Sequence, residues 1–119
     1  MSFFWVFIGG GIGALLRFVV GKTTSLFYAG VFPLATLLAN VISCVLFGLL
    51  VYKYPNALTS NSAKLFFVTG VCGGFSTFST FSFETFELLK NGQWPWAVAN
   101  VLVSVLACLA ILYLVYKAQ

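Results

Sequence analysis

Gly73-Gly74-Phe75-Ser76-Thr77-Phe78-Ser79-Thr80-Phe81-Ser82-Phe83 sets glycines and hydroxyls between phenylalanines, within a longer stretch, 65–89, that is otherwise apolar. A helix that only faces lipid needs none of those hydroxyls. Polar side chains and interrupted helices at membrane depth are costly, so they turn toward a protein interior or a water-filled path and mark something bound or passed.

The rest of the chain agrees with a membrane setting. Hydrophobic residues make up 61% of the 119 positions, aromatics 18% and charged residues only 7%. Mean hydropathy is +1.07. That leaves too little polar surface for a soluble domain of this length. An apolar run of about 20 residues crosses the hydrocarbon core as a helix, and four runs qualify, near 3–20, 33–52, 65–89 and 96–116. The fold class is therefore an all-α integral membrane protein, one domain over 1–119 with a multi-pass location. Gly21-Lys22-Thr23-Thr24, the stretch from Lys53 to Ser62, and Lys90-Asn91-Gly92-Gln93 carry the turn and charge signals of connectors. Before the first apolar run there is no basic residue and no clear small-residue cleavage site, so that run reads as retained rather than as a signal peptide. Trp5, Trp94, Trp96, Tyr52, Tyr54, Tyr113 and Tyr116 fall near run ends, where amphipathic rings favour the membrane interface.

Lys and Arg asymmetry normally fixes orientation, and here it is missing. Lys53, Lys64 and Lys117 fall on one side, Arg17, Lys22 and Lys90 on the other. The balance predicts insertion in both orientations and permits an antiparallel dimer; if Arg17 lies too deep to count, a weak bias remains. Four helices barely enclose a path while also covering it from lipid, which favours oligomerisation. The net charge of +4 does not point to nucleic acid.

The inventory argues against an enzyme. There is no His and no Asp, and Glu84 and Glu87 lie three apart on one predicted helix with no facing acid. Glu84 is expected to balance Arg17 or close a helix-end network. Cys44, Cys72 and Cys108 sit in three separate runs without a Cys-x-x-Cys pattern, and read as small packing residues rather than a metal or redox site.

Binding chemistry is richer. Gly9 and Gly13 form a small-x-x-x-small pair that lets helices approach, whereas Gly73 and Gly74, each costing about 1 kcal/mol in helix propensity relative to Ala, favour a local break. Ser76, Thr77, Ser79, Thr80 and Ser82 either donate to an anion or bond back to the preceding turn. Phe78 and Phe81, three apart, could turn their positive ring edges to a small anion, or simply face lipid or core. Asn40, mid-run, requires a partner for its amide. Asn100, Ser104 and Cys108 recur every four residues along one helix face, suited equally to a donor ladder or to interhelical hydrogen bonds.

Gly73 through Phe81 followed by Glu84, with Gly13-Ala14-Leu15-Leu16-Arg17-Phe18 and Pro33-Leu34-Ala35-Thr36-Leu37-Leu38-Ala39-Asn40, resembles the Fluc/CrcB family of fluoride channels over essentially the whole chain. The resemblance implies a dual-topology antiparallel homodimer with a broken third helix and two pores, letting fluoride leak passively from a microbial cytoplasm across the plasma membrane. It assigns Phe78 and Phe81 to the family's phenylalanine box, Asn40 to its pore asparagine, and Asn100, Ser104 and Cys108 to its fourth-span polar track, with Ser79 and Thr80 beside the pore. It also implies a structural sodium ion on the dimer axis, held by backbone carbonyls of Gly73 and Ser76, and matches Arg17 and Glu84 to structural or vestibule positions. Ser76 stands where threonine is usual, and Asn100 and Cys108 where tyrosine and serine are expected. A proton-coupled small multidrug exporter has similar length and charge balance but needs a membrane-embedded acid in its first span, which 3–20 lacks. A non-transporting helper subunit fits the composition but needs neither Asn40 nor an interrupted third span.

Overall fold

The computed structural model describes residues 2–118, and among them every regular element is helical. Four helices are long and apolar enough to cross a membrane: Ser2–Phe27, Leu34–Lys53, Asn61–Lys90 and Trp94–Ala118. Three of them overrun the apolar runs that announce them, and the second is shifted from its run by one residue. The first continues seven residues past Val20, so Gly21 to Thr24 is helical rather than a connector. At about 1.5 Å per residue such a helix is about 39 Å long, against a hydrocarbon core of about 30 Å. Hydropathy marks the core depth, while backbone bonding carries the helix through the headgroups. Thr24 Oγ donates to the Val20 carbonyl (2.7 Å) and Ser25 Oγ to that of Lys22 (2.7 Å) within this last stretch.

Connections are short and chemically specified. Ser60 caps the third span by accepting from the Ala63 N–H (3.0 Å). The turn into the fourth is a Schellman closure: Gly92, at φ 77°, lets its own N–H reach the Leu89 carbonyl and that of Gln93 reach the Leu88 carbonyl.

Packing inverts the pattern of a soluble protein. Leu15, Phe18, Leu102, Leu106 and Leu114 point outward, whereas the buried set includes Ala39, Ala97, Thr36, Ser43, Asn100 and Ser104. Because lipid is as apolar as leucine, helices here associate through close approach and interhelical hydrogen bonds. The first helix packs on residues 61–75, the second on the fourth, and Phe78–Lys90 on the fourth as well. Gly9 and Gly13 make the first of these contacts. A Cβ on Gly9 would collide with the Phe66 carbonyl oxygen, and one on Gly13 with that of Val71.

The third span changes character along its length. Leu65–Cys72 is wound with i→i+5 bonding, Gly73–Phe75 is α-helical, and a second segment runs Phe78–Lys90. Between them Ser76 (φ −82°, ψ 157°) and Thr77 (φ −152°, ψ 124°) are extended. The glycines are thus not where the helical dihedrals end: Gly73 has φ −64° and ψ −38°. Gly74 serves approach instead, since a Cβ there would meet the Gly10 backbone.

Candidate functional site

The extended pair is held by side chains that replace the missing turn. Asn40 Oδ1, from the second helix, accepts the Thr77 N–H (3.1 Å). Thr77 Oγ1 accepts the Thr80 N–H (3.2 Å), capping the following helix. One turn earlier the Cys72 carbonyl accepts from the Ser76 N–H (3.1 Å), from Ser76 Oγ (2.9 Å) and from Ser43 Oγ (3.2 Å). Buried polar backbone is satisfied in this way without continuing the helix.

A cavity of about 370 Å³ opens beside this joint, lined by Asn40, Thr77, Phe78, Phe81, Ser104 and Cys108 among others. None of its lining residues carries a charge. The Asn40 carbonyl oxygen is engaged by Thr77, while its Nδ2 donates to none of the described residues. The amide therefore keeps two N–H donors for whatever occupies the cavity it lines. The Phe78 and Phe81 rings lie with centroids 6.0 Å apart, tilted by 40°. Phe78 is 79% exposed in the single chain, so its outer side is open to a neighbour.

Arg17 and Lys22 line a second cavity of about 490 Å³ that reaches Thr36 on the second helix. Thr36 stands one turn from Asn40, on the same helix face. The Arg17 Nε is buried without a partner, and so is the Glu84 Oε1. The expected balance between Arg17 and Glu84 is thus not made: Glu84 faces a different cleft, with Glu87, Pro33 and Gln93. Sequence spacing gives each residue a helix face but not the neighbour of that face.

A sequence model of the family described as CrcB-like protein, Camphor Resistance (CrcB), matches residues 4–116. The chain belongs to the CrcB family. A relative from Azobacteroides pseudotrichonymphae is 42% identical over 111 residues, covering 92% of this chain and 89% of that protein. One from Magnetococcus marinus is 39% identical over 115 residues, covering 96% and 94%. One from Pyrococcus abyssi is 41% identical over 111 residues, covering 90% and 86%. Each of the three bears the name fluoride-specific ion channel FluC.

In this CrcB chain the residues singled out from sequence do not all meet. Asn40, Phe78, Phe81, Ser104 and Cys108 share the uncharged cavity. Asn100 lies behind its wall, 1% exposed, with Nδ2 donating to Thr85 Oγ1 (2.8 Å) and Oδ1 accepting from Ser104 Oγ (3.3 Å). Thr85 in turn donates to the Phe81 carbonyl (2.8 Å), so a hydrogen-bonded chain runs from Ser104 through Asn100 and Thr85 to the Phe81 backbone. Ser79 and Thr80 stay at the head of the helical segment, with Ser79 Oγ 3.4 Å from Thr77 Oγ1. Gly73 and Ser76 line a third cavity, about 280 Å³, with Cys44 and Cys72. Sequence reasoning passed over Ser43 and Thr85, and read Cys44 as packing and Thr77 as one hydroxyl of a series rather than as a cap. Ser43 and Cys44 could have been found at i+3 and i+4 from Asn40 on one helix face.

Proposed function

We propose that this chain is a fluoride-specific channel that lets fluoride leave the cytoplasm passively across the plasma membrane, and so limits fluoride toxicity. The carrying observation is the uncharged cavity that Asn40, its carbonyl oxygen engaged by Thr77 and its amide donors left over, shares with Phe78 and Phe81. Family membership and the names of the relatives supply the ion. Such a lining replaces water around a small anion with N–H dipoles and positive ring edges, and without a fixed cation it does not trap the ion.

Arg17 and Lys22 supply the mouth. Their charge concentrates anions at the second cavity, and Thr36 and Asn40, one turn apart, lead inward from it. Ser104 and Cys108 continue the track on the fourth helix, with Asn100 orienting Ser104, and Ser79 and Thr80 flank the entrance to the rings. The protein passes an ion and transforms nothing, so it is a channel and not an enzyme. A proton-coupled exporter is not favoured.

The working unit in this reading is an antiparallel homodimer of chains inserted in both orientations, one transmembrane domain each, with the third helix broken at Ser76–Thr77. The even Lys and Arg distribution supports it, and so does the exposed Phe78 face. The residues also fit a structural sodium ion at the dimer centre. Thr77 gives its N–H to Asn40 instead of closing a turn on Gly73, which leaves the Gly73 carbonyl over, and Ser76 is extended. Such carbonyl oxygens suit a hard cation. Bound there, sodium would fix the helix break and add a positive field beside the anion path.

Fluoride efflux from vesicles holding this chain alone, followed with a fluoride-selective electrode, tests the reading. Passive flux that is indifferent to a proton gradient is expected. Flux that follows the gradient would make the chain a transporter, and silence would make it a helper subunit.

A further inference from the structure

Cys44, Cys72 and Cys108 are distant in sequence, but the fold gathers them. Cys44 on the second helix and Cys108 on the fourth line the same uncharged cavity, beside Asn40 and Phe81. Cys44 also shares the wall of the neighbouring cavity with Cys72. All three are free thiols; Cys44 and Cys108 are half-buried at the cavity, whereas Cys72 is buried.

We propose that Cys44 and Cys108 form a two-thiol site for a soft, two-coordinate cation of the Hg(II), Ag(I) or Cu(I) class, and that its occupancy obstructs the anion path. The obstruction rests on the channel reading above; the metal site does not. Thiolate is a soft ligand and selects soft cations. Among the described residues no group of three His, Cys, Asp or Glu is arranged to hold a metal ion, so a tetrahedral zinc site lacks its ligands while a linear dithiolate needs only two. With HgCl2 the balance is simple. Two S–Hg bonds form, two chlorides leave, and the two thiol protons pass to the buffer. The product is neutral, which suits a cavity without fixed charge, and it occupies the space between Asn40 and Phe81.

Thiol titration of the purified chain with and without HgCl2 tests the site. One mercury per chain should hide two thiols and release two protons. Cys44→Ser and Cys108→Ser should each abolish this two-thiol uptake, and Cys72→Ser should retain it. In vesicles, fluoride efflux is compared with and without mercury for each variant relative to its own untreated rate. Mercury should nearly stop efflux through the wild type and Cys72→Ser, with recovery in dithiothreitol, and leave most of the flux of Cys44→Ser. Thiols capped independently, or unchanged two-thiol uptake by Cys44→Ser, would overturn the site. Full flux with two thiols occupied would overturn the obstruction. Absence of flux from the untreated chain would overturn the channel reading and the obstruction with it, while the thiol count still decides the metal site.

Discussion

The two halves of the third span are built on opposite principles. Residues 61–75 press against the first helix backbone to backbone: Gly70 lies so close to Gly9 that a Cβ would come within 2.7 Å of its Cα, and Gly13 sits under the Val71 carbonyl. Phe78–Lys90 is held instead by side-chain hydrogen bonds and leaves Phe78, Phe83 and Phe86 largely exposed. One half spends its small residues on contact, and the other spends its polar residues on a cavity. The joint at Ser76–Thr77 keeps these requirements apart, because a continuous helix would have closed the Gly73 turn with the N–H that Asn40 receives.

Breaking the first half should have the largest effect. Gly13→Val drives a branched side chain into the Val71 carbonyl and the Phe75 amide. Overpacking costs about 1–3 kcal/mol where side chains can yield; here the obstacle is backbone, so loss of the monodisperse folded species in size-exclusion chromatography is expected. Phe81→Ile strikes the second half. Assembly should persist while fluoride efflux falls about tenfold or more, equivalent to at least about 1.4 kcal/mol. Unchanged efflux would remove that ring from the path.

A smaller effect separates bracing from conduction. Thr85→Val keeps the volume but removes the acceptor for Asn100 Nδ2 and the donor to the Phe81 carbonyl. Leaving a buried amide short of a partner costs about 1–3 kcal/mol, so a lower unfolding temperature with a modest loss of efflux is expected. An effect on efflux as large as that of Phe81→Ile would place Thr85 in the path itself. The smallest effect belongs to the mouth. Lys22→Gln should slow efflux a few-fold at about 0.01 M salt, where the Debye length is about 30 Å, and hardly at all near 1 M, where it is about 3 Å. A slowing independent of salt would point to a direct contact with the ion.

The fold was legible because hydropathy and interfacial aromatics report directly on the bilayer. Parts of the site were legible for a similar reason: Asn40 in an apolar run announces a partner, and Phe78 and Phe81 share a helix face. What stayed hidden depends on rotation and depth. Asn100 has the same four-residue spacing as Ser104 and Cys108, yet it faces Thr85 behind the wall. The Gly73-Gly74 pair suggested a break at the glycines, but Gly74 is needed for approach to Gly10 and the extended residues follow it. Cys44 and Cys108, far apart in sequence, line one cavity because the second and fourth helices pack together, a pairing no local pattern encodes.

Asn40 carries two duties. In Asn40→Asp the carboxylate can still accept the Thr77 N–H, so the joint is kept, while both cavity donors are replaced by a charge that repels anions. Fluoride efflux from vesicles carrying Asn40→Asp, measured beside the wild type at equal protein and equal thermal stability, should fall to the level of empty vesicles. Efflux equal to the wild type would make Asn40 a brace for Thr77 and contradict the anion path.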